Sequence, residues 1–188
     1  MPHIAILSAS VRTGRKSHYA ALFLQHYLEQ QQLATVQLLD LAAYDFPIFH
    51  ERLSKVSDPL PALVDFAKKV KDADGVIIVT PEYNGGYPAA LKNAIDVLYD
   101  EWHRKPVAIA AASNGGFGGS QVLTSLGFTL WKMRAWLVPA MLRIPEVQKA
   151  FDAEGKPADA AAWDKRAKEF TSELLWCVEA GKAMAAKG

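Results

Sequence analysis

One stretch near the start of the chain decides the predicted fold: Ile4-Ala-Ile-Leu-Ser-Ala-Ser-Val-Arg-Thr-Gly-Arg-Lys-Ser17. Its first residues, 4–7, form a short apolar run, which is typical of a buried strand. Polar residues 8–17 follow, and the next apolar residues have helical spacing: Ala20, Phe23, Leu24, Tyr27 and Leu28. A polar loop between the carboxyl end of a parallel strand and a helix start is where open α/β sheets bind anionic ligands.

The same arrangement recurs along the chain. The apolar run Val76-Ile-Ile-Val79 leads into Pro81-Glu-Tyr-Asn-Gly-Gly-Tyr-Pro88, and the run 107–112 leads into Ser113-Asn-Gly-Gly-Phe-Gly-Gly119. We name residues 8–17, 81–87 and 113–119 the first, second and third loops. Polar loops on separate strands predict one shared ligand that lies across the crevice between them.

The other apolar patterns predict a parallel sheet with helices on both faces. Further strands are predicted at 36–39 and 135–138, and helices at 61–73, from Pro88 onward, at 120–133 and at 158–185, with 144–160 irregular. Strands that alternate with helices indicate an α/β three-layer sandwich of five parallel strands. The flavodoxin-like order 2-1-3-4-5, assumed here, brings the three loops to one edge of the sheet. Residues 1–188 are expected to form one domain.

Composition narrows the classes of function. The chain has 188 residues, 51% of them hydrophobic and 22% charged, with a formal net charge of +1. This balance provides no basic surface for nucleic acid, and the apolar runs are shorter than a membrane span. The N-terminal residues lack a signal-peptide pattern, and the one cysteine, Cys177, excludes an internal disulfide. We therefore expect a cytoplasmic protein.

The first loop carries the donors that a phosphate requires. It contains hydroxyl groups, three cations and the amides of a helix start; the side chains are Ser8, Ser10, Arg12, Thr13, Arg15, Lys16 and Ser17. Its spacing differs from the Walker pattern. The alternative is a polar loop in which Ser17 only caps the helix, but the clustering of cations with hydroxyls favours phosphate. His18 is expected to be solvated, although it could also reach a phosphate.

The second and third loops suit a flat heteroaromatic ligand, because they combine glycines, amides and aromatic rings. The third loop is not a dinucleotide fingerprint, since Gln121 stands in place of its last glycine, and Val122 excludes a nucleophile elbow at Ser120. The alternative for this loop is a mobile surface segment. Lys92 and Asn93, beyond the second loop, are expected to be structural.

No catalytic or metal-ligating set is evident in the sequence. The histidines, at 3, 18, 26, 50 and 103, have no metal-ligand spacing, and Cys177 is expected to be a packed thiol. A site that recognises an anion and a ring without acid–base residues is typical of a redox cofactor, which supplies its own chemistry.

These motifs resemble the NADPH-dependent FMN reductase family, a flavodoxin-like group that includes quinone, azo-dye and metal reductases. The resemblance covers nearly the whole chain. Its most specific block is Pro81-Glu-Tyr-Asn-Gly-Gly-Tyr-Pro-Ala-Ala-Leu-Lys-Asn-Ala-Ile-Asp96, and Ser10-Val-Arg-Thr-Gly-Arg-Lys-Ser17, the third loop and Trp136-Leu-Val-Pro139 also match. Ala9 and Ala89 replace glycines that are usual in the family, and neither change removes a ligand.

The resemblance implies a set of cofactor-binding residues. Ser10, Arg12 and Ser17 would hold the FMN phosphate, with Arg15 as a further candidate. Pro81, Glu82, Tyr83, Asn84 and Gly85 would line the flavin and ribityl chain, and Ser113, Asn114, Gly115 and Gly116 would edge the isoalloxazine.

The resemblance also implies an activity. Hydride from NADPH or NADH would reach flavin N5, and electrons would then pass to a small acceptor: a quinone, free flavin, azo dye or metal ion. The alternatives are a flavodoxin-type electron carrier, which the balanced charge disfavours, and a flavin-binding sensor. Family members are dimers or tetramers, so Phe128, Trp131, Met133 and Trp136 could form an interface, with the core the preferred place for Trp136.

Overall fold

The structure is a computed structural model that describes residues 1–187. Its strands are β1 (His3–Ser8), β2 (Thr35–Asp40), β3 (Gly75–Pro81), β4 (Pro106–Ala112) and β5 (Trp136–Ile144). Its α-helices are α1 (Ser17–Gln30), α2 (Leu41–Tyr44), α3 (Pro61–Asp72), α4 (Ala89–Asp96), α5 (Ser120–Lys132), α6 (Val147–Ala150) and α7 (Ala160–Ala185). Short 3₁₀ turns lie at Leu53–Lys55 and Asp100–Trp102.

The strands form one five-stranded sheet in the order β2-β1-β3-β4-β5. Every neighbouring pair is parallel, so the carboxyl ends of all the strands lie along the same edge. The flavodoxin-like fold and the 2-1-3-4-5 order are therefore confirmed. This order places the loops after β1, β3 and β4 side by side.

The central strands are buried on both faces, as continuous apolar runs predict. Ile4 and Ile6 point into the core shared with α1 and α7, whereas Ala5 and Leu7 point into the core shared with α3, α4 and α5. The same alternation holds in β3 and β4. This packing fixes β1, β3 and β4, and with them the start of each loop.

The fold differs from the sequence prediction at its far edge. β5 continues to Ile144, although the prediction ended it at residue 138, so the start of the segment predicted to be irregular is strand. Pro139 is tolerated because β5 is an edge strand. The short helix α6 also lies within 144–160, where no helix was predicted. Among residues 1–187, no helix combines the length and apolar character that crossing a bilayer requires.

Candidate functional site

The first loop leaves the start of α1 open. Ser17 is the first helical residue and Lys16 is the N-cap, which makes no side-chain capping hydrogen bond in the described part of the chain. The alternative in which Ser17 only caps the helix is therefore excluded, because Ser17 is not at the N-cap position. The N–H of Tyr19 donates to the carbonyl of Lys16 at 3.1 Å, but no hydrogen bond within the described residues engages the N–H groups of Ser17 and His18, and the helix dipole favours negative charge there.

Arg15 and Asp40 form an ion pair beside this loop. The guanidinium of Arg15 donates through Nη2 to Oδ2 of Asp40 at 2.5 Å and through Nη1 to Oδ1. Nη1 also donates to the backbone carbonyl of Ser10 at 2.8 Å. Burial raises the pKa of Asp40, but hydrogen bonds from Arg15 and from the N–H of Ala42 outweigh it and hold the pKa below its ordinary value.

His18 belongs to the same cluster. Its Nδ1 lies 3.0 Å from the hydroxyl oxygen of Ser8 and 4.0 Å from Oδ2 of Asp40. Burial and the positive charge of Arg15 lower the pKa of His18, and Asp40 offsets this only in part. With 19% of its side chain exposed, His18 is not the solvated residue that the sequence predicted.

The second loop is a tight turn. Tyr83 and Gly86 exchange both backbone hydrogen bonds, at 2.8 and 3.0 Å, around Asn84 and Gly85, whose φ angles are +53° and +78°. Positive φ at both central residues defines a type I′ turn, for which Asn-Gly is the preferred sequence. The Asn84-Gly85 pair was therefore a signal of this geometry that the sequence analysis did not use.

Tyr83 and Glu82 connect the second loop to its neighbours. The hydroxyl groups of Tyr83 and Ser10 lie 2.8 Å apart, and the guanidinium carbon of Arg12 lies 5.5 Å from the centre of the Tyr83 ring. On the other side, the carboxylate of Glu82 accepts backbone N–H groups from the first turn of α5. The negative charge of Glu82 therefore interacts with the start of α5.

The glycines of the third loop divide into two pairs. Gly118 and Gly119 have φ angles of +63° and +74°, and a Cβ at either would lie 3.0 Å from its nearest side-chain neighbour. Around Gly115 and Gly116, a Cβ would meet no described atom within 4 Å. The first pair is required by the backbone, whereas the second pair leaves room beside the chain.

The three loops enclose one cleft of about 270 Å³ at the carboxyl edge of the sheet. Nine of the predicted residues line it: Ser10, Arg12, Arg15, Ser17, Pro81, Glu82, Tyr83, Ser113 and Asn114. Thr13, Gly14, Lys16, Ala112 and Val147 complete the lining. Val147 was missed, because it follows β5 and no motif marks it.

The other four predicted residues, Asn84, Gly85, Gly115 and Gly116, are not among the residues that line the cleft. Gly85 is instead constrained by its neighbour, since a Cβ there would lie 2.7 Å from Oε1 of Gln121. A role in cofactor binding stays a prediction for all thirteen residues.

The sequence model of one protein family, described as NADPH-dependent FMN reductase, matches residues 2–149. The chain belongs to this family. It is 34% identical to an NAD(P)H-dependent FMN reductase of Saccharomyces cerevisiae over 131 residues, which cover 63% of this chain and 68% of that protein. It is also 34% identical to an NAD(P)H-dependent FMN reductase of Schizosaccharomyces pombe over 151 residues, 74% of this chain and 71% of the other.

Solved protein structures share the fold of this chain at lower sequence identity. The flavoenzyme NAD(P)H:(acceptor) oxidoreductase FerB from Paracoccus denitrificans superposes with a TM-score of 0.76 at 22% identity, over 95% of this chain and 98% of that chain. FMN is the cofactor of the reductase family, and the lining of the cleft is compatible with it. The start of α1 with Arg12 and Lys16 suits a phosphate, and Pro81, Tyr83 and Asn114 line the part of the cleft between the second and third loops.

Several predicted residues outside the cleft also have defined places. Cys177 is buried, with its pKa raised by burial and then by Glu173, as expected of a packed thiol. Asn93 is structural, as predicted, because its side chain donates to the carbonyl of Pro47 at 2.7 Å and accepts from the N–H of Phe49 at 2.5 Å. Trp136 is 37% exposed, so its expected place in the core is wrong.

Proposed function

We propose that this chain is an FMN-dependent NAD(P)H oxidoreductase that passes electrons from a nicotinamide cofactor through bound FMN to a small acceptor. The observation that carries the proposal is the cleft itself. Its cationic end meets a helix start that no described side chain caps, and the second and third loops contribute Pro81, Tyr83, Ser113 and Asn114 to its sides.

The proposed phosphate site uses the first loop. Arg12 and Lys16 supply positive charge, and the hydroxyl groups of Ser10 and Ser17 with the N–H groups of α1 supply donors. Hydrogen bonds from charged donors to a phosphate are stronger than those from neutral donors, so the two cations add to the binding free energy that the hydroxyl and N–H groups provide. The sequence has no Rossmann dinucleotide fingerprint, which supports a mononucleotide rather than a dinucleotide as the resident cofactor.

The proposed ring site uses the other two loops. Pro81, Tyr83 and Asn114 line the same cleft and would contact the ribityl chain and ring, and Glu82 holds the second loop to α5. When bound, FMN supplies the two-electron chemistry that accepts hydride from a nicotinamide and reduces an acceptor. The residues of the chain bind and orient it, and leave one side of the cleft open to both substrates.

The proposal extends to assembly and location. Both follow the family resemblance, and we propose a homodimer or homotetramer in the cytoplasm, with residues 1–188 acting as one FMN-binding domain. The acceptor is proposed only as a class of small molecule, because its identity depends on the shape of the loaded cleft.

Anaerobic titration of the purified protein tests this function. Flavin released by heat should chromatograph as FMN, and the bound flavin should bleach within seconds of adding NADPH or NADH. Steady-state kinetics with a quinone should then give parallel double-reciprocal lines, because donor and acceptor use the same open side in turn. Bleaching that requires a separate reductase protein would establish an electron carrier instead, and FAD or no flavin would exclude the proposal.

A further inference from the structure

Asp40 stands outside the cleft yet is connected to it. It is the last residue of β2, and the parallel register places it opposite Ser8, at the end of β1. The cleft lining includes Arg15 but not Asp40. Both carboxylate oxygens of Asp40 accept from the guanidinium of Arg15, in a bidentate geometry that fixes the plane of the guanidinium.

Arg15 carries this constraint into the first loop. Its Nη1 donates to the carbonyl of Ser10 at 2.8 Å, which ties the start of the loop to its end. The side-chain oxygen of Ser10 in turn lies 3.5 Å from the backbone nitrogen of Arg12 and 2.8 Å from the hydroxyl of Tyr83. A continuous series of contacts therefore runs from β2 to the hydroxyl group of Tyr83, a residue that lines the cleft.

The charges of the loop are divided by the same contacts. Arg15 has its charge neutralised by Asp40, with 19% of the Arg15 side chain and 23% of the Asp40 side chain exposed. Arg12 and Lys16 instead lie over the rings of Tyr83 and Tyr19, at 5.5 and 4.8 Å. These two cations keep their charge for an anionic ligand.

We propose that Asp40 is a positioning residue for the phosphate end of the cleft, acting through Arg15, and that Arg12 and Lys16 are the cations that meet the phosphate. This inference rests on the proposed function, since it names the division of labour within the same site. It assigns Arg15 a place among the supports of the loop rather than among the phosphate ligands.

Removal of the Asp40 carboxylate is expected to change FMN affinity in the direction opposite to simple charge repulsion. A carboxylate close to a phosphate site repels the ligand, so its removal should strengthen binding if electrostatics alone decided the outcome. A positioning role predicts the opposite, because the loop loses the contact that holds Arg15 and Ser10. Asp40→Asn is the right variant, since asparagine keeps the acceptor for the N–H of Ala42 and the start of α2.

The experiment measures dissociation constants of FMN and riboflavin for the wild type, Asp40→Asn, Arg15→Gln and the double variant. Asp40→Asn should weaken FMN about tenfold, the equivalent of one charge-assisted hydrogen bond, and leave riboflavin unchanged. The double variant should be no weaker than either single variant, because both remove the same support. Asp72→Asn is the matched control: it removes a carboxylate that pairs with Lys68 on the exposed surface of α3.

A second measurement does not depend on flavin. Hydrogen exchange of the apo-protein should show faster exchange in residues 10–17 for Asp40→Asn and no change there for Asp72→Asn. Unchanged exchange, tighter FMN binding, or equal losses for FMN and riboflavin would each overturn the positioning role. A wild type that binds no FMN would reject the proposed function, while the exchange measurement would still decide whether Asp40 orders the loop.

Discussion

The carboxylate of Glu82 accepts a hydrogen bond from the backbone N–H of Gln121 at 2.9 Å. The same oxygen accepts from the N–H of Val122 at 3.1 Å, so the second loop caps α5 across a separation of 39 residues to Gln121. Gly119, at the N-cap position, has no side chain that could do so. A negative charge at a helix start also interacts favourably with the helix dipole. Glu82 therefore fixes the second loop relative to the third.

Replacing Glu82 by alanine should lower stability through this cap. We expect the free energy of unfolding of the apo-protein to fall by about 1–2 kcal/mol, as for the loss of other helix caps. Glu82→Gln keeps an acceptor and should lose less. Urea denaturation followed by circular dichroism measures both. Glu179→Ala, at an exposed position in α7, is the control, and an equal loss in that variant would show that the cap adds nothing.

Replacing Arg12 by alanine should weaken FMN selectively. The loss of a charge-assisted contact to phosphate is expected to cost about 1.5–3 kcal/mol of binding free energy. Riboflavin, which lacks the phosphate, should bind as before. Fluorescence titration of both ligands measures the difference. Arg52→Ala is the matched control, because Arg52 lies 4.2 Å over the ring of Tyr99 and does not line the cleft. Equal losses for both ligands would refute the phosphate contact.

Valine at Gly116 should separate ligand binding from folding. No described atom lies within 4 Å of a Cβ at this position, and its φ is not in the left-handed region, so the apo fold should be kept. We expect most of the flavin to be lost, since the side chain occupies the space beside the backbone. Far-ultraviolet circular dichroism and flavin content are measured on the same sample.

Valine at Gly119 gives the contrasting case. There φ is +74° and a Cβ would lie 3.0 Å from that of Ala111, so the variant should be destabilised by about 1–3 kcal/mol even without flavin. Full flavin content in Gly116→Val would instead support the mobile surface segment that was the alternative for this loop.

Apolar continuity made most of the fold predictable. β1, β3 and β4 are buried on both faces and stand out as uninterrupted apolar runs, so their loops could be located from sequence. β5 is different, because only Val138, Leu142 and Ile144 are buried and Pro139 interrupts the apolar run. A register shift opposite Val107 and Ile109 adds a further irregularity that no short-range pattern encodes.

Most residues that line the cleft could be predicted from the sequence, but the contacts among the residues of the site could not. The hydroxyls and cations of the first loop could be recognised because they are adjacent in sequence. The partner of Arg15 could not, since Asp40 is 25 residues away and reaches the loop only through the pairing of β2 with β1. The burial of His18 follows from the same pairing. Contacts that depend on strand register cannot be predicted from the composition of a loop.

The stability of the protein should decrease as the pH falls through the titration range of His18. Burial and Arg15 lower its pKa in the folded state, with Asp40 opposing them in part. The unfolded chain therefore binds a proton near the ordinary histidine value of about 6.5, while the folded chain does not. The contribution is fully present above that value and is lost as the pH falls toward the folded-state pKa.

The variant His18→Asn should remove this part of the pH dependence. Asparagine retains a polar group near Ser8, so the variant is expected to fold, and its free energy of unfolding should vary less between pH 7 and pH 5, roughly, than that of the wild type. Chemical denaturation at several pH values measures the two slopes. Parallel slopes would mean that His18 is not the responsible group.

An exposed aromatic pair on α5 is expected to lie at a contact between subunits. Phe128 and Trp131 are 63% and 65% exposed, and their ring centres are 5.9 Å apart. Trp136, the next strand's first residue, is also 37% exposed. Large apolar side chains grouped in this way on a surface are typical of a protein interface. Trp131→Glu should therefore convert a dimer into monomers, because burying an unpaired carboxylate at the contact is costly.

Light scattering coupled to size-exclusion chromatography measures the mass of each variant. Trp176→Glu provides the matched control, since Trp176 is 63% exposed on α7 and the substitution changes charge and volume equally. Only the α5 variant should lose the dimer mass, and it should keep its far-ultraviolet circular dichroism spectrum because the side chain does not belong to the core. If the Trp176 variant dissociates and the Trp131 variant does not, the contact lies on α7. A wild type that is monomeric at all concentrations would remove the interface altogether.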